Sequence, residues 1–322
     1  MKQERRKPYG DEYNSMVAEY KGADHEGKIH IAARYGVTLD TLKHWASDGQ
    51  TAPTIEYVTP RTEGYVGIAQ PLNLNVSDEP VTVAIINDTH NPYQDVEAIS
   101  LMEKVLEELQ PEYLIYAGDV NDFYQLSKYD KTPARANSLQ ADINVSKEMF
   151  ARHNSILPKT KKIMLEGTHE DRLRRYLWTQ SPALASLEGL ALKELFELDK
   201  FGISLVPFEQ GLLINGVFLV LHGELISSDS SATAKANYRK HGGCGMTGHT
   251  HRGGSFYKRD RFGVYGWYEN FCLCRLDPDW IKNPDWQQGF SVVHVHSSGL
   301  FNVQQIPILR GPQFFYGGEL VK

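Results

Sequence analysis

Asp88 and His90 stand in NDTHN, Asp119 and Asp122 in GDVND, His169 in GTHED, His222 in LHGE, and His249 with His251 in GHTHR. Carboxylates and imidazoles are the side chains that hold divalent cations and exchange protons near neutral pH. Each fragment alone is commonplace, and a lone histidine at the end of a strand is more often a hydrogen-bonded structural residue than a ligand. Their placement is not commonplace, because every one follows directly on a short apolar run. Mixed oxygen and nitrogen donors suit Mn, Zn, Fe or Ni better than Ca or Mg alone. Asp88/His90 and His249/His251 are each two residues apart, so in extended chain both members of a pair would point the same way.

The apolar runs are the elements that must position these groups. VTVAII (81–86), YLIYAG (113–118) and KIMLEG (162–167) read as buried strands ending in polar residues. Helical patterns separate them at 94–110 and 137–157, and further helix is expected at 169–198. LLINGVFLVLHG (212–223) carries Asn215-Gly216 between two apolar runs, a hairpin signal, with more hairpins expected around 259–263 and 297–299. Another strand is expected near 244–247. Strand–helix alternation followed by a β-meander predicts a layered α/β sandwich, whose ligands gather at the carboxyl ends of its strands.

The first fifty residues contain no strand candidate. In KIHIAARYGVTLDTLKHW (28–45), Ala32 precedes Gly36 by four residues, and Leu42 and Trp45 follow. A helix-turn-helix needs a small residue where helices cross, a glycine free to take positive φ in the turn, and apolar residues on the second helix. Thr38 with Asp40 or Thr41 offers the cap of that helix. The segment resembles the helix-turn-helix of resolvases, transposases and many bacterial regulators, which implies DNA contact through Arg34, Thr41, Lys43 and His44, helped by a basic arm at Arg5, Arg6 and Lys7. Against this, residues 1–50 hold eight basic and eight acidic side chains, so phosphate attraction rests on a local patch. A protein-docking module of the same shape is the alternative. The organisation expected is a small all-α helix-turn-helix domain at 1–50, a Thr-, Pro- and Gly-rich linker at 51–79, and a catalytic domain at 80–322.

Bulk composition narrows the class. The 322 residues have a formal net charge of −6, with 41% hydrophobic and 23% charged residues, so the chain is no polycation. Its three cysteines are too few for a disulfide framework. No apolar run approaches the ~20 residues of a membrane helix, and MKQERRKPYGDEY lacks a signal-peptide core. A soluble cytoplasmic protein is expected, without membrane partners; oligomeric state is left open by these patterns.

Taken in order, D-x-H, G-D-x-x-D, G-T-H-E, H-G and G-H-T-H resemble the calcineurin-like metallophosphoesterase superfamily over roughly residues 80–300, and GTHEDRLRRYL is similar to its phage and prophage members. The resemblance implies a four-layer α/β/β/α sandwich and two divalent metal ions, Mn first with Zn, Fe or Ni as alternatives. It places one ion on Asp88, His90, Asp119 and His251, and the other on a bridging Asp119 with His222, His249 and the residue before His169. It implies that His169 is a general acid and that Asp122 hydrogen-bonds it and keeps it protonated. The cytoplasm would be that of a bacterial host if the chain is phage-encoded. The activity implied is phosphoester hydrolysis. A phosphodiesterase or nuclease acting on DNA is the first reading, since a tethered DNA-binding module raises local substrate concentration. A phosphomonoesterase with a protein-docking module is the second, and a DNA-binding regulator with a degenerate fold the third.

Thr168 departs from the family, whose usual residue there is asparagine. It can be a doubtful ligand to the second metal, or the cap of a helix, since Thr168-x-x-Asp171 is a capping-box pattern. Arg252 is a phosphate-binding candidate by position. Arg172, Arg174 and Arg175 could bind phosphate but read first as a solvated helix face, His294 and His296 as strand residues, and Tyr124, Tyr257, Tyr265, Trp267 and Tyr268 as core and sheet surface. The Ser-rich loop after His222 is expected near the site.

Overall fold

The computed structural model describes residues 10–47, 69–74, 79–128, 130–131, 138–278, 281–309 and 311–322. The chain divides into two units, Met1–Val58 and Thr59–Lys322. The basic arm at residues 5–7 and the linker at 51–68 and 75–78 lie outside the described residues.

In the first unit, α1 (Gly10–Gly22), α2 (His25–Arg34) and α3 (Leu39–Ser47) enclose Tyr13, Met16, Ile31, Ala32 and Leu42. Asp24 caps α2 by accepting from the Gly27 amide, and Thr38 Oγ1 accepts from the Thr41 amide at the start of α3. Gly36 takes φ +64° between α2 and α3, the conformation the turn was expected to need. Tyr13 donates its hydroxyl to the Trp45 carbonyl at 2.7 Å, tying α1 to α3.

The second unit runs β1 (Ala69–Leu72), β2 (Val81–Ile86), α4 (Val96–Leu109), β3 (Tyr113–Tyr116), α5 (Leu139–Ile156), β4 (Lys161–Leu165), α6 (Asp171–Gln180), α7 (Leu192–Leu195), β5 (Ile203–Val206), β6 (Gly211–Ile214), β7 (Phe218–Leu221), α8 (Ala232–His241), β8 (Cys244–Thr247), β9 (Gly253–Arg259), β10 (Val264–Asn270), β11 (Gln288–Val295), β12 (Phe301–Ile308), β13 (Phe314–Tyr316) and β14 (Glu319–Val321). Two six-stranded sheets form, ordered β1-β6-β7-β8-β10-β9 and β12-β11-β2-β3-β4-β5.

Strand alternation explains the layers. Val83 and Ile85 of β2, Ile115 of β3 and Leu165 of β4 face Leu212, Ile214, Phe218, Val220 and Met246 of the other sheet, making a core between sheets. The intervening Ala84, Ile86, Leu114, Tyr116 and Met164 pack instead with Met102, Val105 and Leu106 of α4 and with Phe150 of α5. On the far sheet Leu213, Leu219 and Trp267 pack with Ala234 of α8. The order helix, sheet, sheet, helix is therefore the expected four-layer sandwich. The β6–β7 hairpin turns at Asn215 (φ 46°) and Gly216 (φ 70°), as the Asn-Gly pair predicts.

The helices expected at about 169–198 are α6, short 3₁₀ turns and α7, with a break at Ser181-Pro182, where proline cannot extend the α6 hydrogen-bond ladder. Two elements differ from expectation. β1 lies inside the segment expected to be linker: it pairs parallel with β6, because Gln70 and Leu72 find an open sheet edge there. The polar stretch after His222 is loop only as far as Ser231 and then forms α8. Among the described residues no helix is long and apolar enough to cross a membrane.

Candidate metal centre

β2, β3 and β4 run parallel, as do β7 and β8, so their carboxyl ends deliver the chemistry-bearing residues together. Among the described residues four groups could hold an ion, including His90, Asp122 and His169, and His251, Cys272 and Cys274; two are built on the aspartates of the first motifs. Asp88, His90 and His251 form one, Asp119, His222 and His249 the other, each with its atoms within 4.8 Å of one another. In the first, His90 Nε2 and His251 Nε2 are 2.9 Å apart, and Asp88 Oδ1 lies 3.6 Å and 3.2 Å from them. In the second, His222 Nε2 is 3.1 Å from Asp119 Oδ2. Asp119 also stands 3.9 Å from His90 Nε2, between the two groups.

The backbone that presents these ligands is not extended. Asp88, His90, Asp119, His249 and His251 have φ of 51°, 48°, 50°, 68° and 57°. Each pair thus converges through left-handed turns, and strand alternation, the expected reason, does not apply. Such conformations cost roughly 1–3 kcal/mol apiece and persist where surroundings over-determine them. The intervening threonines show how: Thr89 donates to the Val120 carbonyl at 2.8 Å and Thr250 to Glu269 Oε2 at 2.8 Å. Gly167 permits the closest approach, since a Cβ there would fall 2.2 Å from Asp119 Oδ1.

Behind the histidines sit acceptors that set the tautomer. The Ala117 carbonyl lies 3.0 Å from His222 Nδ1, and Asp122 Oδ1 lies 3.2 Å from His90 Nδ1, so both rings donate outward and turn Nε2 inward. His251 has a softer neighbour, Cys274 Sγ at 3.8 Å from Nδ1. Asp88 Oδ1 and His222 Nε2 are buried without a hydrogen-bond partner, as lone pairs reserved for a cation would be. This donor set fits a divalent metal pair.

Electrostatics agree. Burial opposes charge on Asp119, yet His222, His169 and His90 hold its carboxyl well below the usual range. Against burial, Asp119 lifts His222 to about 9; Cys274 and Asp88 lift His251 to about 9. Burial and the neighbouring His222 push His249 down to about 4.

Thr168 does not cap α6. Its hydroxyl donates to Asp119 Oδ2 at 3.0 Å and lies 3.4 Å from His249 Nδ1, while α6 starts without a side-chain cap. The capping-box reading is overturned because the Asp171 amide, from which a Thr168 cap would accept, donates to the Gly167 carbonyl at 3.1 Å instead. The hydroxyl faces Asp119 and His249 of the second group.

His169 sits against His90 with ring centroids 4.4 Å apart, its Nε2 at 3.8 Å from Asp119 Oδ2. Nδ1 meets the Asp122 carbonyl oxygen at 2.9 Å and Asp122 Oδ1 at 3.0 Å. Asp122 was expected to keep this ring protonated, but burial leads and holds His169 below the ordinary histidine value despite Asp119 and Asp122. Asp122 therefore orients the ring more than it charges it.

Several functional residues escape a reading by motif. Arg172 is not a solvated charge; it donates to the Asp122 carbonyl at 2.8 Å and to His169 Nε2 at 2.8 Å. Glu170 is buried and accepts from the amides of Asp119, Asn121 and Gly167 at 2.9, 2.9 and 2.8 Å, which fastens two ligand loops together. Asn87 accepts from Asn270 and donates to Asp88. Trp286 stands edge-on to His251 at 4.3 Å. A place one or three residues beyond a motif histidine was the available signal for Glu170 and Arg172; none marks Trp286.

Arg252, expected to bind phosphate, spends its guanidinium on Ser227 and Asp285 carbonyls, so it braces loops. His294 meets Thr82 and His296 meets Ser298, as strand and turn residues. In the first unit Arg34 is exposed and paired with Glu19, Lys43 and His44 are exposed, and Thr41 meets Thr38.

No protein-family model matches the chain. It is 23% identical over 247 residues to the Gene 54 protein of Mycobacterium phage D29, covering 71% of this chain and 94% of that protein. Among solved structures, Vps29 of Chaetomium thermophilum is 12% identical with a TM-score of 0.41, covering 75% of this chain and 93% of that one. A dimetal phosphatase from Danio rerio is 11% identical with a TM-score of 0.36, covering 71% of this chain and 99% of that one.

Proposed function

We propose that this chain is a metal-dependent phosphoester hydrolase of the calcineurin-like metallophosphoesterase type, acting as a phosphodiesterase or nuclease on DNA. The observation that carries the reading is the convergence of Asp88, His90, His251, Asp119, His222 and His249 into two adjoining groups, with Asp119 between them. Asp88, His90, Asp119 and His251 would hold one divalent ion. Asp119, His222 and His249, with the Thr168 hydroxyl, would hold the other.

Bound in this way, a pair of ions such as Mn²⁺ neutralises phosphoryl oxygens and acidifies water for in-line displacement. The chain's own residues do the rest. His169 presents Nε2 toward Asp119 and is placed to pass a proton to the departing oxygen. Asp122 holds its Nδ1 and so decides which nitrogen works. Glu170 keeps the Asp119 and Gly167 loops at fixed separation, which keeps the acid in register with the ligands.

Preference for DNA rests on the first unit, where α3 exposes Lys43 and His44. The pairing of Arg34 with Glu19 favours a second reading, a phosphomonoesterase whose helical unit docks a protein. The compartment proposed is a bacterial host cytoplasm, on the likeness to a Mycobacterium phage protein.

The test is Mn²⁺-dependent cleavage of end-labelled single- and double-stranded DNA beside aryl phosphate esters, with Asp119→Ala as control. DNA cleavage lost in the variant is expected. Hydrolysis of the aryl monoester alone would move the reading to the phosphomonoesterase. No hydrolysis of either by metal-loaded protein would sink it.

A further inference from the structure

Arg172 lies on the first turn of α6, three residues past His169, and is one-quarter exposed at its side chain (23%). Its two terminal nitrogens do different things. Nη1 donates to the Asp122 carbonyl at 2.8 Å, and Nη2 meets His169 Nε2 at 2.8 Å. A guanidinium can only donate, so Nε2 must offer its lone pair, while Nδ1 gives its hydrogen to the Asp122 carbonyl at 2.9 Å. A histidine that delivers a proton from Nε2 carries a hydrogen on that same atom. Two donors cannot face each other at this distance. The Arg172–His169 contact therefore occupies the nitrogen from which an acid would deliver its proton.

What would replace it follows from charge. Around Arg172 the acceptors are a carbonyl and a neutral ring, with Asp122 Oδ2 no nearer than 4.0 Å from Nη1. Its ion pair with Asp122 is thus a long one, unlike those of its neighbours Arg174 and Arg175, which both bind Asp171 directly. Arg252 is held by Ser227 and Asp285. We infer that Arg172 is a phosphate-binding residue of this centre, which holds Nη1 on Asp122 as a pivot and exchanges the His169 nitrogen for a phosphoryl oxygen. The exchange adds a charge-assisted hydrogen bond to the substrate and uncovers the acid in one movement.

The inference rests on the phosphoester-hydrolase reading, and the experiment separates the two. Binding of inorganic phosphate to the full-length, Mn²⁺-loaded protein is measured by calorimetry for wild type, Arg172→Gln and Arg172→Lys, together with Mn²⁺ affinity and hydrolysis of bis(4-nitrophenyl) phosphate. Glutamine keeps a donor for the Asp122 carbonyl but not the charge. About a tenfold or greater loss of phosphate affinity in Arg172→Gln is expected, with a smaller loss in Arg172→Lys and Mn²⁺ affinity unchanged. Equal phosphate affinity in wild type and Arg172→Gln, or no phosphate binding by wild type, would overturn the assignment. A wild type that binds phosphate through Arg172 but hydrolyses no ester would leave the assignment standing and remove the hydrolase reading instead.

Discussion

The Thr168 hydroxyl donates to Asp119 Oδ2 at 3.0 Å and sits 3.4 Å from His249 Nδ1, so a side chain that could have capped a helix is turned into the metal centre. A hydroxyl is shorter and a weaker neutral donor to metal than an amide oxygen. Thr168→Asn is expected to tighten the weaker of two Mn²⁺-binding steps by about tenfold, a gain of ~1.4 kcal/mol. Calorimetric isotherms check this, and superimposable curves for the two proteins would reject it.

His169 is close to Asp119 but outside both ligand groups that surround Asp119 and Asp88. Replacing it with alanine should lower kcat by roughly 10²–10⁴ with metal affinity retained. The loss should shrink for esters whose leaving group is already acidic, such as 4-nitrophenol. A uniform loss across leaving groups would mean that His169 does not act as the acid.

Without metal, His222 and His251 titrate near 9, above the ordinary histidine value of 6.5. A ligating nitrogen must be unprotonated, so metal competes with protons there. Mn²⁺ affinity should climb as pH rises toward about 9 and then level off. Calorimetry in buffers of different ionisation enthalpy should show proton release at pH 7.5. The sign for stability is the reverse: imidazoles raised in the folded state stabilise the metal-free protein below 6.5, and this is lost as pH rises through 9. A Tm of metal-free protein that increases across that window would contradict these shifts.

Glu170 accepts three amide hydrogens with its two oxygens in a buried setting. Burial, and then Asp119, push its carboxyl up to about 7. Glu170→Gln places a donor where an amide also donates, and should cost about 1–3 kcal/mol of stability. Because the Asp119 loop is one of those fastened, Mn²⁺ affinity should fall with it. Denaturant unfolding and metal titration on the same samples would show a null result plainly.

Much of this molecule is legible in the order of its residues. Val81–Ile86, Tyr113–Tyr116 and Lys161–Leu165 announce themselves as strands by their largely apolar runs, and a candidate ligand follows two or three residues after each ends. Asn215-Gly216 marks its hairpin because both residues tolerate positive φ. The ligand residues are legible for the same reason: imidazoles and carboxylates at successive strand ends have no packing purpose. Tertiary structure alone decided the rest. Whether the Thr168 hydroxyl accepted from an α6 amide or donated to Asp119 depended on where those partners lay in space, and Asp119 is remote in sequence. That Arg172 covers His169 while Arg174 and Arg175 turn to Asp171 is set by the direction in which α6 leaves the site. Ala69–Leu72 became a strand because β6 had an open edge to receive it. Local pattern specifies what a side chain can do; which partner it meets is a three-dimensional distance that no local pattern contains.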